Sequence, residues 1–127
     1  MNEDLINRVC RGVAEVLALD LKEVKATSRL VTDLGAESLD LVELMYVLES
    51  EFEIRLRRDD ISISAQLGLA DEELHHDEVL TPRALELLHR RFPEAGDLLQ
   101  PGVTLNQLAA LLTVEEIARS VETKLGS

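Results

Sequence analysis

The sequence predicts an all-α fold, in which amphipathic helices form a bundle. Three observations support this prediction. Apolar residues recur at helical spacing in several separate stretches, and capping residues stand at the start of most of these stretches. Aromatic residues make up only 2% of the chain, so the core must be built mainly from Leu, Val, Ile and Ala.

Length and charge limit the classes of function. A chain of 127 residues is long enough for one domain with a single core. The net charge of −12 argues against a nucleic-acid partner, because phosphate binding requires a basic surface, and it favours partners with basic docking patches. No apolar run approaches the length of a membrane span, and no signal pattern opens the chain. We therefore expect a cytoplasmic protein, and we expect a monomer.

The first predicted helix extends to about Leu19, with Asn2 as its N-cap. Its apolar residues at helical spacing are Leu5, Val9, Val13 and Val16. Cys10 falls on the same side, which indicates a small core residue, and a single cysteine permits no internal disulfide. The loop of residues 20–32 follows, and the residues expected to anchor it are Leu21, Val24 and Leu30.

A second predicted helix, about Ser38 to Glu53, begins after a turn in which Gly35 permits a left-handed backbone. Ser38 stands at or beside the N-cap, where its hydroxyl lies near unpaired backbone N–H groups. A phosphate ester on that oxygen would meet the positive end of the helix dipole. The alternative is a capping serine with no further role.

This second helix combines a core stripe with an acidic face. The stripe consists of Leu41, Leu44, Leu48 and Phe52. Residues 37–53 include six acidic side chains and no basic one. This arrangement suits docking of a basic partner, and the alternative is an ordinary solvated surface. Because burying unpaired carboxylates is costly, four of these residues are expected to face water: Asp40, Glu43, Glu49 and Glu53. Tyr46 lies beside them, either exposed for docking or half-buried.

Residues 33–52 resemble the acyl carrier protein family, whose Asp-Ser-Leu signature appears here as Glu37-Ser38-Leu39. Glu37 departs from the usual aspartate but keeps its charge. Residues 24–31 resemble the family's loop before the signature. Residues 113–117 resemble the start of its final helix, which Thr113 and Glu116 open as a possible capping box.

The resemblance implies that Ser38 carries covalent 4′-phosphopantetheine, whose thiol holds acyl groups as thioesters. It implies that the protein is not an enzyme and that a phosphopantetheinyl transferase, with magnesium and coenzyme A, modifies Ser38. It also implies that acyl-transferring enzymes of fatty acid or lipid synthesis dock on the second helix. The implied docking residues are Glu37, Leu39, Asp40, Glu43, Tyr46 and Glu49. A carrier of polyketide or peptidyl intermediates and an unmodified helical adaptor are the alternatives.

The resemblance stops after Leu56 and resumes near Thr104, so an insertion is predicted at about residues 57–102. The sequence thus predicts a single acyl carrier domain, residues 1–127: an acyl-carrier-like four-helix bundle with an inserted helical subdomain. Thr81-Pro82 is typical of a helix start, and Phe92-Pro93 of a helix end. The predicted buried face of this inserted helix is Ala84, Leu85, Leu88 and Phe92. We expect the insertion to pack beside the acyl-chain cavity.

The remaining features of the insertion are less regular. Residues 61–64 alternate as in a short strand, with a loop as the alternative, and residues 68–78 are predicted to form an acidic turn. Within that turn, residues 75–78 are potential metal ligands, but adjacent histidines rarely converge on one ion and no metal site is predicted. An EF-hand at residues 33–44 is dismissed, because Ser38 stands where glycine is required. Thr104 and Gln107 form a possible capping box for a short helix.

Overall fold

The computed structural model describes residues 3–57, 60–61 and 63–126, without the side chains of residues 65 and 66. Contacts divide the chain into two compact units. The first unit comprises Met1–Ile61 and Leu112–Ser127, and the second unit is Ser62–Leu111. Asn2, the predicted N-cap of the first helix, lies outside the described residues. The second unit is shifted toward the C-terminus relative to the predicted insertion at about residues 57–102, and whether it is an insertion into a carrier domain stays a prediction.

The described residues are mostly helical, as predicted. In chain order the elements are α1 (Glu3–Leu17), a 3₁₀ turn (Leu21–Glu23), α2 (Ser38–Phe52), α3 (Ile63–Gln66), α4 (Asp71–Leu74), β1 (His75–His76), β2 (Val79–Leu80), α5 (Pro82–Arg91), 3₁₀ segments (Pro93–Ala95 and Leu105–Leu111) and α6 (Val114–Leu125). Helix α1 packs against α2 and α6, and α2 also contacts α6. These three helices enclose the core of the first unit.

That core is aliphatic, as the composition predicts. Its fully buried side chains are Val9, Val13, Leu30, Leu48, Val114, Ile117 and Val121. Cys10 is 5% exposed, which confirms it as a small core residue. One expectation is wrong: Leu21 does not anchor the loop, because it opens a 3₁₀ turn and is exposed.

The second unit has its own core around α5. The Thr81 hydroxyl accepts a hydrogen bond from the Ala84 N–H at 3.2 Å, and Pro82 is the first helical residue, which confirms the predicted start. Leu88 is fully buried, as is Leu99 from the following segment. Phe92 is only half-buried, contrary to the predicted face, because it stands beyond the last helical residue with its backbone out of the helical region.

Two stretches of the second unit differ from prediction. Residues 63–66 form a helical turn and no strand, and the buried Ile61 and Ile63 belong to different units, so their alternation does not mark one face of a strand. Residues 71–80 form α4 and a β-hairpin in place of the predicted turn. His76 pairs with Val79 across a two-residue connection, residues 77–78, with both φ angles positive, at 51° and 71°.

The two predicted capping boxes have different outcomes. The Thr104 N–H donates to the Gln107 side chain at 2.9 Å, but the segment that follows is a 3₁₀ helix packed against α3. At α6, the Thr113 hydroxyl accepts from the Glu116 N–H at 3.2 Å, which confirms the predicted cap. The Glu116 carboxylate lies 2.9 Å from Arg119 on the next turn of the helix.

Candidate functional site at the start of α2

A hydrogen-bonded turn precedes α2. The Asp33 carboxylate accepts a hydrogen bond from the Arg29 N–H at 2.8 Å, and the Asp33 N–H donates to the Arg29 carbonyl at 2.9 Å. Gly35 is left-handed, with φ of 72°, as its place in the sequence predicts. The Ala36 N–H then donates to the Leu30 carbonyl at 2.8 Å. The turn is therefore fixed at both ends before the helix begins.

Ser38 is the first helical residue of α2, and it is exposed. Glu37 is the N-cap, with an extended backbone, and its N–H donates to the Asp40 carboxylate at 2.8 Å. The Glu37 carbonyl accepts the helical hydrogen bond from Leu41 at 3.1 Å. Ser38 thus stands beside the cap, as one of the two predicted positions. Its hydroxyl lies at the end of the helix where backbone N–H groups and the dipole favour an anion.

One face of α2 exposes apolar side chains around an acidic one. Leu39 is 80% exposed and Tyr46 is 68% exposed, and Glu43 between them is also exposed. These residues are spaced four and three apart, so they lie on one side of the helix. Of the two positions left open for Tyr46, the structure has the exposed one.

Two of the predicted docking acids also have structural contacts. The Asp40 carboxylate accepts from the Glu37 N–H, and the Glu49 carboxylate accepts from the Leu56 N–H at 2.8 Å, beyond the end of α2. Both side chains are half-buried, so the expectation that they largely face water is wrong for this pair. Backbone N–H donors replace part of their hydration and make the partial burial tolerable.

Arg8 of α1 contacts the far end of α2, a feature that the sequence analysis missed. Its Nε lies 3.0 Å from the Glu51 carboxylate, and a terminal nitrogen donates to the Glu51 carbonyl at 3.1 Å. Its guanidinium carbon is 4.2 Å from the centre of the Phe52 ring. One of the six acids of residues 37–53 is therefore paired with a basic residue from another helix. Nothing in the local sequence relates positions 43 residues apart.

An apolar cleft lies beside the start of α2. Its lining residues come from the end of α1, from the loop before Ser38 and from the first turns of α2: Val13, Val16, Leu17, Leu30, Ala36, Asp40, Leu41 and Leu44. The cleft has no space for a water-sized sphere. All of its lining residues belong to the first unit, and the expected proximity of the insertion to an acyl-chain cavity stays a prediction.

The potential metal ligands of the hairpin are not assembled into a site. The His75 Nδ1 of β1 accepts a hydrogen bond from the Glu78 N–H of the two-residue connection at 3.2 Å. Across the part of the chain that the structure describes, no group of three His, Cys, Asp or Glu side chains is placed to hold a metal ion.

Comparison with known proteins identifies the family of this chain. Residues 7–66 match the family described as the phosphopantetheine attachment site. The chain is also 44% identical over 54 residues to an acyl carrier protein of Prochlorococcus marinus (strain MIT 9515), across 42% of this chain and 68% of that protein. The chain belongs to the acyl carrier protein family. No solved structure matches it.

As an acyl carrier protein, the chain is a carrier and not an enzyme. Its cofactor is 4′-phosphopantetheine, attached covalently to a serine. Membership of the family implies interaction with a phosphopantetheinyl transferase and with synthesis enzymes. Within the described ranges, no helix is both long and apolar enough to cross a membrane.

Proposed function

We propose that this acyl carrier protein carries fatty acyl chains for fatty acid or lipid synthesis, on a 4′-phosphopantetheine arm attached to Ser38. The observation that carries the assignment is the exposed Ser38 hydroxyl at the first position of α2, within residues 7–66 that match the attachment-site family. The helix end that presents the hydroxyl also favours the phosphodiester anion formed there.

Loading is a phosphoryl transfer in which the chain supplies the nucleophile. The Ser38 oxygen forms a bond to a phosphorus of coenzyme A, the phosphoanhydride bond breaks, and the nucleotide portion leaves. The transferase supplies the base and the magnesium ion. When bound, the arm supplies a thiol that holds an acyl group as a thioester. The arm lets successive enzymes act on a substrate at high effective concentration while each enzyme docks weakly.

The aliphatic cleft beside Ser38 supports a fatty acyl cargo. Leu17, Leu30 and Leu41 line it, together with Asp40 from the first turn of α2. Since the cleft is closed to a water-sized sphere, a chain that enters must displace side chains of the α1–α2 contact. Burial of an alkyl chain gains about 0.8 kcal/mol per CH₂ group, so this gain grows with the length of the chain.

We propose that partners dock on the α2 face formed by Leu39, Glu43 and Tyr46. Leu39 and Tyr46 offer exposed apolar area, and Glu43 offers charge to a basic patch. Glu37, Asp40 and Glu49 extend the negative field of this face, although the latter two carboxylates also accept backbone hydrogen bonds.

The attachment site is tested by intact mass after incubation with coenzyme A and a phosphopantetheinyl transferase. Ser38→Ala should gain no pantetheine, and its stability should change by less than about 0.5 kcal/mol, because Ser38 is exposed and Glu37 holds the cap position. The matched control is Ser50→Ala, at an exposed serine of the same helix, which should be modified like the wild type. A modified Ser38→Ala protein would refute the site. Failure of the wild type to gain mass would instead favour the unmodified adaptor.

A further inference from the structure

The chain leaves the second unit at Leu111, and the next residues pair at once with the loop before the turn of residues 33–36. We call this turn, which leads into Ser38, the Ser38 turn. We call residues 112–115 the exit segment. Thr113 forms an isolated antiparallel bridge with Arg29, and three backbone hydrogen bonds surround it. They run from the Leu30 N–H to the Leu112 carbonyl (3.0 Å), from the Val114 N–H to the Ser28 carbonyl (3.0 Å), and from the Glu115 N–H to the Ala26 carbonyl (2.9 Å).

Leu30 connects this bridge to the turn. Its N–H donates to the exit segment, while its carbonyl accepts the Ala36 N–H, two residues before Ser38. The Leu30 side chain is fully buried, and Ser28 is 9% exposed, with its hydroxyl accepting from the Lys25 N–H at 3.0 Å. If the exit segment moves, Leu30 transmits the movement to the Ser38 turn, because the buried Leu30 side chain cannot move independently of its neighbours.

The residues just before the second unit also contact the rest of the first unit. Asp60 lies 3.2 Å from Lys124 of α6, immediately before the boundary at Ile61. The chain thus leaves the first unit just after Asp60, which contacts α6, and returns to it in the exit segment, whose last residues belong to α6. A helical unit of about 50 residues is near the lower limit of independent stability, so its order responds to modest changes.

We propose that the exit segment couples the order of the second unit to the position of Ser38. Loosening the second unit loosens the Ser38 turn, and a partner that orders the second unit fixes the turn for loading and transfer. The coupling is reciprocal, so modification at Ser38 also changes the protection of the second unit. The functional meaning of this coupling rests on the assignment of Ser38 as the attachment site.

Amide exchange on the full chain tests the coupling. Leu88→Ala removes a fully buried side chain of α5 and should speed exchange throughout residues 81–92. If the units are coupled, the Leu30 and Ala36 amides should also exchange about fivefold faster or more, the factor expected from weakening one backbone hydrogen bond. Arg90→Ala, at an exposed position of the same helix, should leave both amides at wild-type rates. Faster exchange in residues 81–92 with Leu30 and Ala36 unchanged would overturn the proposal.

A second pair of variants tests the route. Val114→Pro removes the N–H that donates to Ser28, at the first position of α6, where proline is tolerated after the extended Thr113. Val114→Ala keeps that N–H but leaves a larger hole in the core. Proline should therefore speed exchange at Leu30 and Ala36 more than alanine does. An equal or larger effect of alanine would assign the change to packing and overturn the route.

These measurements separate the coupling from the attachment assignment. The exchange rates are read on the unmodified protein, whereas attachment is read by mass. Coupled exchange in a protein that is not modified at Ser38 would refute the attachment site and keep the coupling. A protein that is modified at Ser38 but shows no coupled exchange would support the attachment site and refute the coupling. In the coupled case, Leu88→Ala should also slow pantetheine transfer several-fold while Arg90→Ala does not.

Discussion

At the scale of single residues, the acids of α2 differ in what their carboxylates contact. Asp40 and Glu49 accept backbone N–H groups, and Glu51 pairs with Arg8. Glu43 is exposed between two exposed apolar side chains. Reversing the charge of the first three would disturb the helix ends, so a loss of docking at those positions would not isolate an electrostatic effect. Glu43 is the position at which charge and structure can be separated.

Glu43→Lys should slow modification of the protein by about tenfold at low ionic strength, because complementary charge acts mainly on the association rate. Stability should remain within about 0.5 kcal/mol of the wild type. The measurement is the rate of pantetheine transfer at several salt concentrations, and added salt should slow the wild type more than the variant.

The matched control for this charge reversal is Glu122→Lys, which makes the same change of net charge at an exposed position of α6. It should have little effect on the transfer rate. Equal slowing by both variants would show that total charge, and not the face around Glu43, governs association.

The residues of the site differ in how far the sequence reveals them. Ser38 and Gly35 belong to a local pattern of turn and helix start, so their positions and conformations were predictable. The contacts of Arg8 with Glu51 and of Leu30 with the exit segment join distant parts of the chain, and local spacing contains no information on them. The hydrogen bond of the Glu49 carboxylate could not be predicted for the same reason, because its donor, the Leu56 N–H, lies seven residues away and beyond the helix.

At the scale of elements, the C-terminal end of α2 depends on Arg8. Glu53, the residue that follows the helix, has a left-handed conformation with φ of 54°, a conformation that usually favours glycine. The Glu51 carbonyl is one of the last in the helix, and Arg8 donates to it while stacking on Phe52. A single side chain of α1 thus provides both a hydrogen bond to a terminal carbonyl and a cation–π contact at this end.

Arg8→Ala should lower the free energy of unfolding by about 1 to 2 kcal/mol, measured by urea denaturation. The exposed ion pair contributes less than about 1 kcal/mol, and the stacking on Phe52 and the carbonyl hydrogen bond contribute the rest. Arg8→Lys keeps the charge but loses the planar fork, so it should recover less than half of the loss. Full recovery by lysine would mean that charge alone stabilises this end.

Helix α5 provides a second prediction at this scale. Because Phe92 is half-buried and Leu88 fully buried, Phe92→Ala should cost about 1 to 3 kcal/mol and Leu88→Ala about 2 to 5 kcal/mol. The measurement is urea denaturation followed by amide exchange of residues 81–92. A larger cost at Phe92 than at Leu88 would contradict the burial on which this order depends.

The long helices were predictable, and the hairpin was not, for a physical reason. Helices α1, α2, α5 and α6 hold their own hydrogen bonds, and their apolar spacing and caps are visible in the sequence. The β1–β2 connection lacks the Asn-Gly or Asp-Gly pair typical of two-residue turns. The hairpin is instead stabilised by residues more than 20 positions further along the chain. The Leu80 N–H donates to the Val103 carbonyl, and the Leu105 N–H donates to the Glu78 carbonyl, both at 2.9 Å.

At the scale of the whole molecule, the chain passes from the first unit to the second after Ile61 and returns to the first unit at Leu112. The sequence indicated additional residues after Leu56 but not where one core ends, because Ile61 and Ile63 look alike and are buried in different units. Asp60, just before this boundary, accepts from the Arg57 N–H at 2.7 Å and lies 3.2 Å from Lys124. Burial by itself raises the pKa of Asp60, but these hydrogen bonds and the charges of Lys124 and Arg57 lower the pKa overall.

This lowered pKa predicts a contribution to stability that depends on pH. The folded protein holds the Asp60 proton less tightly than the unfolded chain, in which an aspartate has a pKa of about 3.9. The contribution is therefore fully present above about pH 5 and is lost as the pH falls through the folded pKa. Asp60→Asn should destabilise the protein at pH 7, and its difference from the wild type should shrink as the pH falls below about pH 4. Urea unfolding at a series of pH values measures the difference. A constant difference between Asp60→Asn and the wild type at all pH values would mean that the carboxylate charge does not hold this connection to α6.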